Sequence, residues 1–232
     1  YQKYLNPKKK KLMVIFRGVN LEYFNSKNMS EKKVNALIQN WGIDKNNFII
    51  LLPGRLTKWK GQEVFIEALS ILAKNYNQNN FHAIILGSDQ GRSFYSKKLL
   101  LLVDRYRLNK KITFIKNCKE MPIAYELADV AISSSIEPEA FGRVAVEAQA
   151  MSKPIVASNL GGSKETILNG KSGLLFKSED PKELAEIINE LMDMSKESLR
   201  LMGEHGRKNV EKKFNVDQMC QTTFTEYKKL LK

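Results

Sequence analysis

Six short apolar runs, at residues 48–52, 81–86, 112–115, 130–133, 154–157 and 173–176, constrain the fold of this chain more than any other feature. Each is continuously apolar rather than alternating. A sheet with one wetted face requires alternation, whereas parallel strands are covered on both faces and read as unbroken apolar stretches. Helical periodicity fills the gaps. Phe65, Ala68, Leu69 and Leu72 fall on one helix face, and so do Leu184, Ile187, Ile188, Leu191 and Met192. Repeated strand–helix alternation predicts an α/β chain with a doubly wound, mostly parallel, Rossmann-like sheet of about six strands and a helical C-terminal tail.

This reading places a linker strand (residues 12–16) and a lead-in helix (31–41) in residues 1–46. A Rossmann-like domain follows over 47–214, and a C-terminal helix over 215–232. Tail helices are expected at 183–193, 197–214 and 216–231. In the last, Val216, Met219, Cys220, Thr223, Tyr227 and Leu230 make one apolar stripe. Packing of that stripe on its own domain is the first expectation; crossing to a missing partner domain is the alternative. Tyr1 rather than Met at the start reads as a piece of a longer polypeptide.

Among the 232 residues, 38 Lys and Arg stand against 25 Asp and Glu, a net charge of +13. Such a balance attracts phosphates. The basic residues are mostly Lys, without the Arg clusters and interleaved aromatics of nucleic-acid readers, so nucleic acid is not an expected partner. The four lysines at 8–11, followed by apolar residues 12–16, suit a peripheral contact with an anionic membrane surface. No apolar run reaches membrane-spanning length, which with the cysteine usage leads to an expected cytoplasmic location. Cys118 and Cys220 lie far apart and have no metal-ligand spacing. Reduced thiols are expected.

The densest chemistry lies at 135–150, S-I-E-P-E-A-F-G-R-V-A-V-E-A-Q-A. Glu139 and Glu147 are separated by seven residues, with Phe141-Gly142 between them, a serine-ended strand before and a helix-forming run after. Free N–H groups at a helix start favour a phosphate, and carboxylates on either side favour hydroxyls. Eight residues of helix rise about 12 Å, the reach from a sugar across a diphosphate to a ribose. A nucleotide-sugar is the ligand this suggests; a surface pair of glutamates flanking an ordinary helix is the plainer reading.

The neighbouring loops favour the former. In an open α/β sheet, ligands sit beyond the carboxyl ends of the strands. The segments at 53–61, 87–91, 116–121, 134–142 and 159–163 all fall there. Within Gly54-Arg55-Leu56-Thr57-Lys58-Trp59-Lys60-Gly61, Arg55 and Lys60 can converge on one anion. The segment starting at Gly87 allows close backbone approach without being a G-x-G-x-x-G fingerprint. Gly170-Lys171-Ser172 lacks the P-loop glycine, since Glu165 stands in its place. The serines at 133–135 have no nucleophile-elbow setting. No Asp-x-Asp pair is present, so no metal is expected.

Four ordered pieces resemble the retaining, metal-independent glycosyltransferases of family four, which have the two-domain GT-B architecture. They are Ile15-Phe16-Arg17-Gly18-Val19-Asn20, then Gly54-Arg55…Lys60-Gly61, then Glu139-Ala140-Phe141-Gly142…Glu147, then Gly161-Gly162…Glu165. The resemblance covers residues 12–231 and corresponds to the carboxyl-terminal, donor-binding domain. It implies that Arg55 and Lys60 hold the donor diphosphate and stabilise the leaving nucleotide. It also implies that Glu139 bonds the donor sugar and that Phe141 and Gly142 lie beside it. Arg143 and Val144 would face the phosphates through their backbone, and Glu147 would accept the ribose hydroxyls. Gly54, Gly87 and the 116–121 loop would flank diphosphate and base.

The implied substrates are a UDP- or GDP-sugar donor and a polysaccharide or glycolipid acceptor, with no cofactor. The other partner would be the missing N-terminal domain of the same polypeptide. Asn20 departs from the family, which commonly has Asp there. A catalytically silent nucleotide-sugar-binding or regulatory module, or a GT-B sugar-nucleotide epimerase, are the alternatives.

Overall fold

The computed structural model describes residues 13–91 and 93–231. The basic run at 8–11 and Leu12 lie outside them. Among the described residues the order is α1 (Glu31–Trp41), β1 (Phe48–Pro53), α2 (Gln62–Asn75), β2 (Phe81–Leu86), α3 (Ser93–Arg105), β3 (Ile112–Ile115), α4 (Met121–Leu127) and β4 (Val130–Ser133). Then come α5 (Arg143–Ala150), β5 (Ile155–Ser158), α6 (Ser163–Thr166), β6 (Gly173–Phe176), α7 (Pro181–Asp193), α8 (Lys196–Lys213) and α9 (Val216–Leu230). The strands form one sheet in the order β3-β2-β1-β4-β5-β6, every pair parallel. The chain winds outward from β1 to β3, returns to lay β4 against β1, and winds outward the other way. Its direction switches between β1 and β4, where doubly wound sheets open a ligand crevice.

The strands follow the apolar runs closely because those runs are buried on both sides. Alternate residues of β1 serve opposite faces: Ile50 and Leu52 join one core with Phe65, Leu69, Leu99, Val103, Leu184 and Ile188 of α2, α3 and α7. Ile49 and Leu51 join the other with Ile38, Ala124, Ala145, Val210 and Phe214 of α1, α4, α5, α8 and the turn after α8. β5 starts one residue later than expected. Pro154 has no N–H to give the ladder, although its carbonyl still accepts from Ala131 N at 3.0 Å.

Two N-terminal features matter for the site. The expected linker strand does not form over 13–16. The sheet has six strands with β3 and β6 at its edges, and the segment joins neither edge. It meets the chain's far end instead, in an isolated bridge between Val19 and Asn215, with Val19 N donating to Phe214 O at 2.8 Å. Asn20 follows, and its Oδ1 accepts from Glu22 N (3.0 Å) and Tyr23 N (2.9 Å). An amide oxygen performs that turn-capping as a carboxylate would, which accounts for Asn in place of Asp here.

Arg207 of α8 anchors this lead-in segment. Its guanidinium donates to Phe24 O and Ala150 O at 2.6 Å each and to Leu21 O at 3.3 Å. Arg207→Ala is expected to destabilise the fold by about 2–4 kcal/mol, because three carbonyls lose a charged donor at once. Urea unfolding measures the loss, and a change under about 0.5 kcal/mol, the size of an ordinary surface substitution, contradicts the anchoring role.

The last helix departs from the first expectation. No residue of α9 is buried, and Phe224 and Tyr227 are 60% and 63% exposed. Its stripe does not pack on this domain beyond its first turns, and the Leu230 side chain lies outside the described residues. No helix among the described residues is long and apolar enough to cross a membrane. Both cysteines are free, Cys118 half-buried and Cys220 exposed.

Candidate donor-binding site

The crevice at the switch point is a cleft of about 1050 Å³, and Gly54, Arg55, Lys60, Gly87, Glu139, Phe141, Gly142, Arg143, Val144 and Glu147 all line it. Hydrogen bonds beyond the strand ends bring them together. Gly54 N donates to Leu86 O (2.8 Å), Leu56 N to Ser88 O (3.0 Å) and Gly87 N to Ile115 O (2.8 Å), so the loops after β1, β2 and β3 continue the sheet's pairing. Only glycine fits at position 87, where a Cβ would lie 1.9 Å from Gly54 O.

The loop after β1 is pinned to the loop after β4. Ile136 N donates to Trp59 O at 2.8 Å, and the Ser134 hydroxyl bonds Gly61 O at 3.0 Å. This crossing lays Lys60 against Glu139, with Nζ 2.7 Å from Oε1. The two side chains are 12% and 13% exposed, so water screens the pair only partly. Ser135 Oγ donates to the same Oε1 at 2.5 Å. Beneath the cations lies the indole of Trp59, its centroid 4.4 Å from Lys60 Nζ and 5.9 Å from the Arg55 guanidinium carbon. An indole face at that range attracts both. Arg55 itself is exposed, while its carbonyl is held by Gln62 Nε2 at 2.9 Å.

Across the cleft, Gly162 N donates to Glu139 O at 2.7 Å, which ties the 138–141 loop to the segment before α6. Gly142 caps α5, whose first residues Arg143 and Val144 line the cleft, and no side chain caps that helix start. Its first backbone N–H groups are available to an anion. One turn on, Glu147 is held from two sides. Arg143 donates to Oε1 from Nε (3.2 Å) and Nη2 (2.8 Å), and the Tyr125 hydroxyl donates to Oε2 at 3.0 Å. Burial first, and the adjacent Glu147 second, keep the Tyr125 phenol well above its ordinary pKa, so it stays a donor. Hydrogen bonding to Glu147 likewise raises Arg143.

The remaining wall comes from 116–118 and Met121 after β3, and from residues 14–17. Burial pushes the Cys118 thiol up, which keeps it protonated beside Glu120 O at 3.4 Å.

Sequence reasoning assembled the lining but missed some of its partners. Tyr125, Ser135 and Trp59 were not singled out as site residues. Trp59 lies between Lys58 and Lys60, a signal that was available; Tyr125 is 22 residues from Glu147 and gave none. Arg143 was expected to act through its backbone, and its side chain also covers Glu147.

A doubly wound parallel sheet with a helix start, basic side chains and carboxylates in its switch-point crevice defines a Rossmann-like α/β domain with a polar cleft at the place where such sheets hold ligands. The chain matches the family model described as "Glycosyl transferases group 1" over residues 33–209 and belongs to that family. The Staphylococcus aureus capsular polysaccharide biosynthesis glycosyltransferase CapM is 29% identical over 218 residues, covering 93% of this chain. A crystal structure of a glycosyltransferase from Rickettsia africae ESF-5 superposes with a TM-score of 0.95 at 31% identity, covering all of this chain and 60% of that one. Anabaena Alr3699/HepE, solved in complex with UDP-glucose, superposes with a TM-score of 0.86 at 27% identity, over 96% of this chain and 58% of its own. The chain spans only 53–59% of the length of the first curated relatives it matches.

Proposed function

We propose that this chain is the donor-binding half of a glycosyltransferase that moves a sugar, with retention, from a nucleoside diphosphate sugar to a polysaccharide or glycolipid acceptor. The observation that carries this reading is the meeting of Lys60 and Glu139 at 2.7 Å, in a cleft that also holds Arg55, the α5 start and Glu147. Arg55, Lys60 and the α5 amides take the diphosphate, and the charge that develops on the leaving nucleotide is met by groups already in place. Glu139 accepts sugar hydroxyls and Glu147 the ribose pair. Gly87 and the 116–118 backbone border the base. The UDP-glucose complex of HepE supports a uridine nucleotide as the first donor to try, and the capsular role of CapM supports a surface glycan as acceptor.

Among the described residues lining the cleft, the carboxylates are Glu139, Glu147 and Glu165. Glu139 is engaged by Lys60 and Ser135, which disfavours it as a nucleophile, so departure and attack on the same face of the sugar is the proposed course. The exposed stripe of α9 suits the other domain of the polypeptide, which would close the cleft and supply most of the acceptor site.

Titrating this chain calorimetrically with UDP, GDP, ADP and their common hexose conjugates is expected to give a dissociation constant below about 1 mM for at least one pair. EDTA is expected to leave that binding unchanged. Binding by none of them removes the donor-site assignment; binding abolished by EDTA removes the metal-independent part.

A further inference from the structure

Glu147 has two unlike partners. Arg143 is one turn away on the same helix, and its side chain is 75% exposed, free to leave when a ligand arrives. Tyr125 is on α4, fully buried, with its ring edge-on to Phe24 at a centroid distance of 6.2 Å. Its hydroxyl bonds Glu147 Oε2 at 3.0 Å, while the residue as a whole belongs to the apolar cluster that also holds Phe24, Val144 and Ala148. Phenylalanine would fill that space as well. A buried hydroxyl persists where its donor has a fixed partner, and here the partner is a carboxylate that lines the cleft.

We propose that Tyr125 is a positioning residue for donor recognition: its hydroxyl holds the Glu147 carboxylate in the orientation that accepts the vicinal hydroxyls of the donor's ribose. This rests on the reading of Glu147 given above. A carboxylate has about four acceptor positions. Tyr125 occupies one from the buried side and fixes the plane, which leaves the cleft-facing lone pairs directed outward. Without it, Glu147 can rotate about its terminal torsion, a broad and soft one, and must be reordered on binding.

The test measures UDP and 2′,3′-dideoxyuridine diphosphate binding to the wild type, Tyr125→Phe, Glu147→Gln and Phe24→Leu by calorimetry. Tyr125→Phe is expected to weaken UDP about tenfold while changing the dideoxy nucleotide less than about twofold, the loss expected of a bond to a charged group. Phe24→Leu, which alters the packing of the same ring but keeps its hydroxyl, is expected to preserve the ratio of the two affinities. Equal weakening of both nucleotides by Tyr125→Phe shows a merely structural role and overturns the proposal, as does an unchanged ratio. If Glu147→Gln leaves the ratio at the wild-type value, the ribose reading of Glu147 itself is wrong. If Glu147→Gln erases the preference and Tyr125→Phe keeps it, only the positioning role fails. Should the Phe variant not purify folded, Tyr125→Met carries the same comparison.

Discussion

Replacing Arg55 and Lys60 together by alanine in the full-length enzyme is expected to lower kcat/KM by about a thousandfold or more. Fixed donors aimed at developing charge are worth about a hundred- to thousandfold each in related chemistry, and here the charge develops on the departing diphosphate. The single variants are expected to divide the loss unequally. Arg55 is exposed and rests on Trp59, so Arg55→Ala removes a ligand contact and disturbs little else. Lys60→Ala also strands Glu139, which keeps only Ser135 as its partner in a poorly hydrated place. Urea unfolding alongside steady-state kinetics separates the two effects. Near-normal turnover by the double variant would show that the cleft does not handle the diphosphate.

The second large effect concerns the crossing of the two loops. Gly61 has φ 68°, and a Cβ there would stand 1.9 Å from Ser134 O. Gly42, after α1, has nearly the same φ, 64°, with nothing within 4 Å. Gly42→Ala therefore measures the left-handed backbone alone, about 1 kcal/mol. Gly61→Ala is expected to cost about 3 kcal/mol, because the backbone at 134 must also move. That movement displaces Lys60 from Glu139, so nucleotide binding is expected to fall with stability. Equal losses in the two variants by urea unfolding would mean that the loops are not locked together.

The sheet was legible in the sequence because burial on both faces leaves an unmistakable mark: six unbroken apolar runs, in parallel order, with one-residue differences at Pro53, Pro154 and Ser158. The lining of the cleft was legible for a different reason. Its residues sit at strand ends, and in a doubly wound sheet those ends converge whatever the loops contain. What failed to appear were contacts made only in three dimensions. Tyr125 reads as one apolar position in a short helix, and nothing in its neighbours announces a carboxylate across the gap. The segment at 13–16 has the composition of a strand, yet it joins neither edge of the sheet, and composition does not report pairing. The stripe of α9 was visible, but among the described residues it is left exposed beyond its first turns.

The ion pair between Lys60 and Glu139 balances one cation of the cleft with one carboxylate, in a chain of net charge +13. Long-range attraction of anions therefore falls to the other basic side chains of the cleft, Arg17, Arg55 and Lys116 among them, and to the amide dipoles at the α5 start. A bare phosphate that draws Lys60 away abandons a half-buried carboxylate, so its net gain is small. A molecule that joins an anion to a ring of hydroxyls offers a new partner to each member of the pair at once. On the proposed reading the site is thus tuned to a conjunction of two chemistries, and it is expected to bind inorganic phosphate alone only weakly.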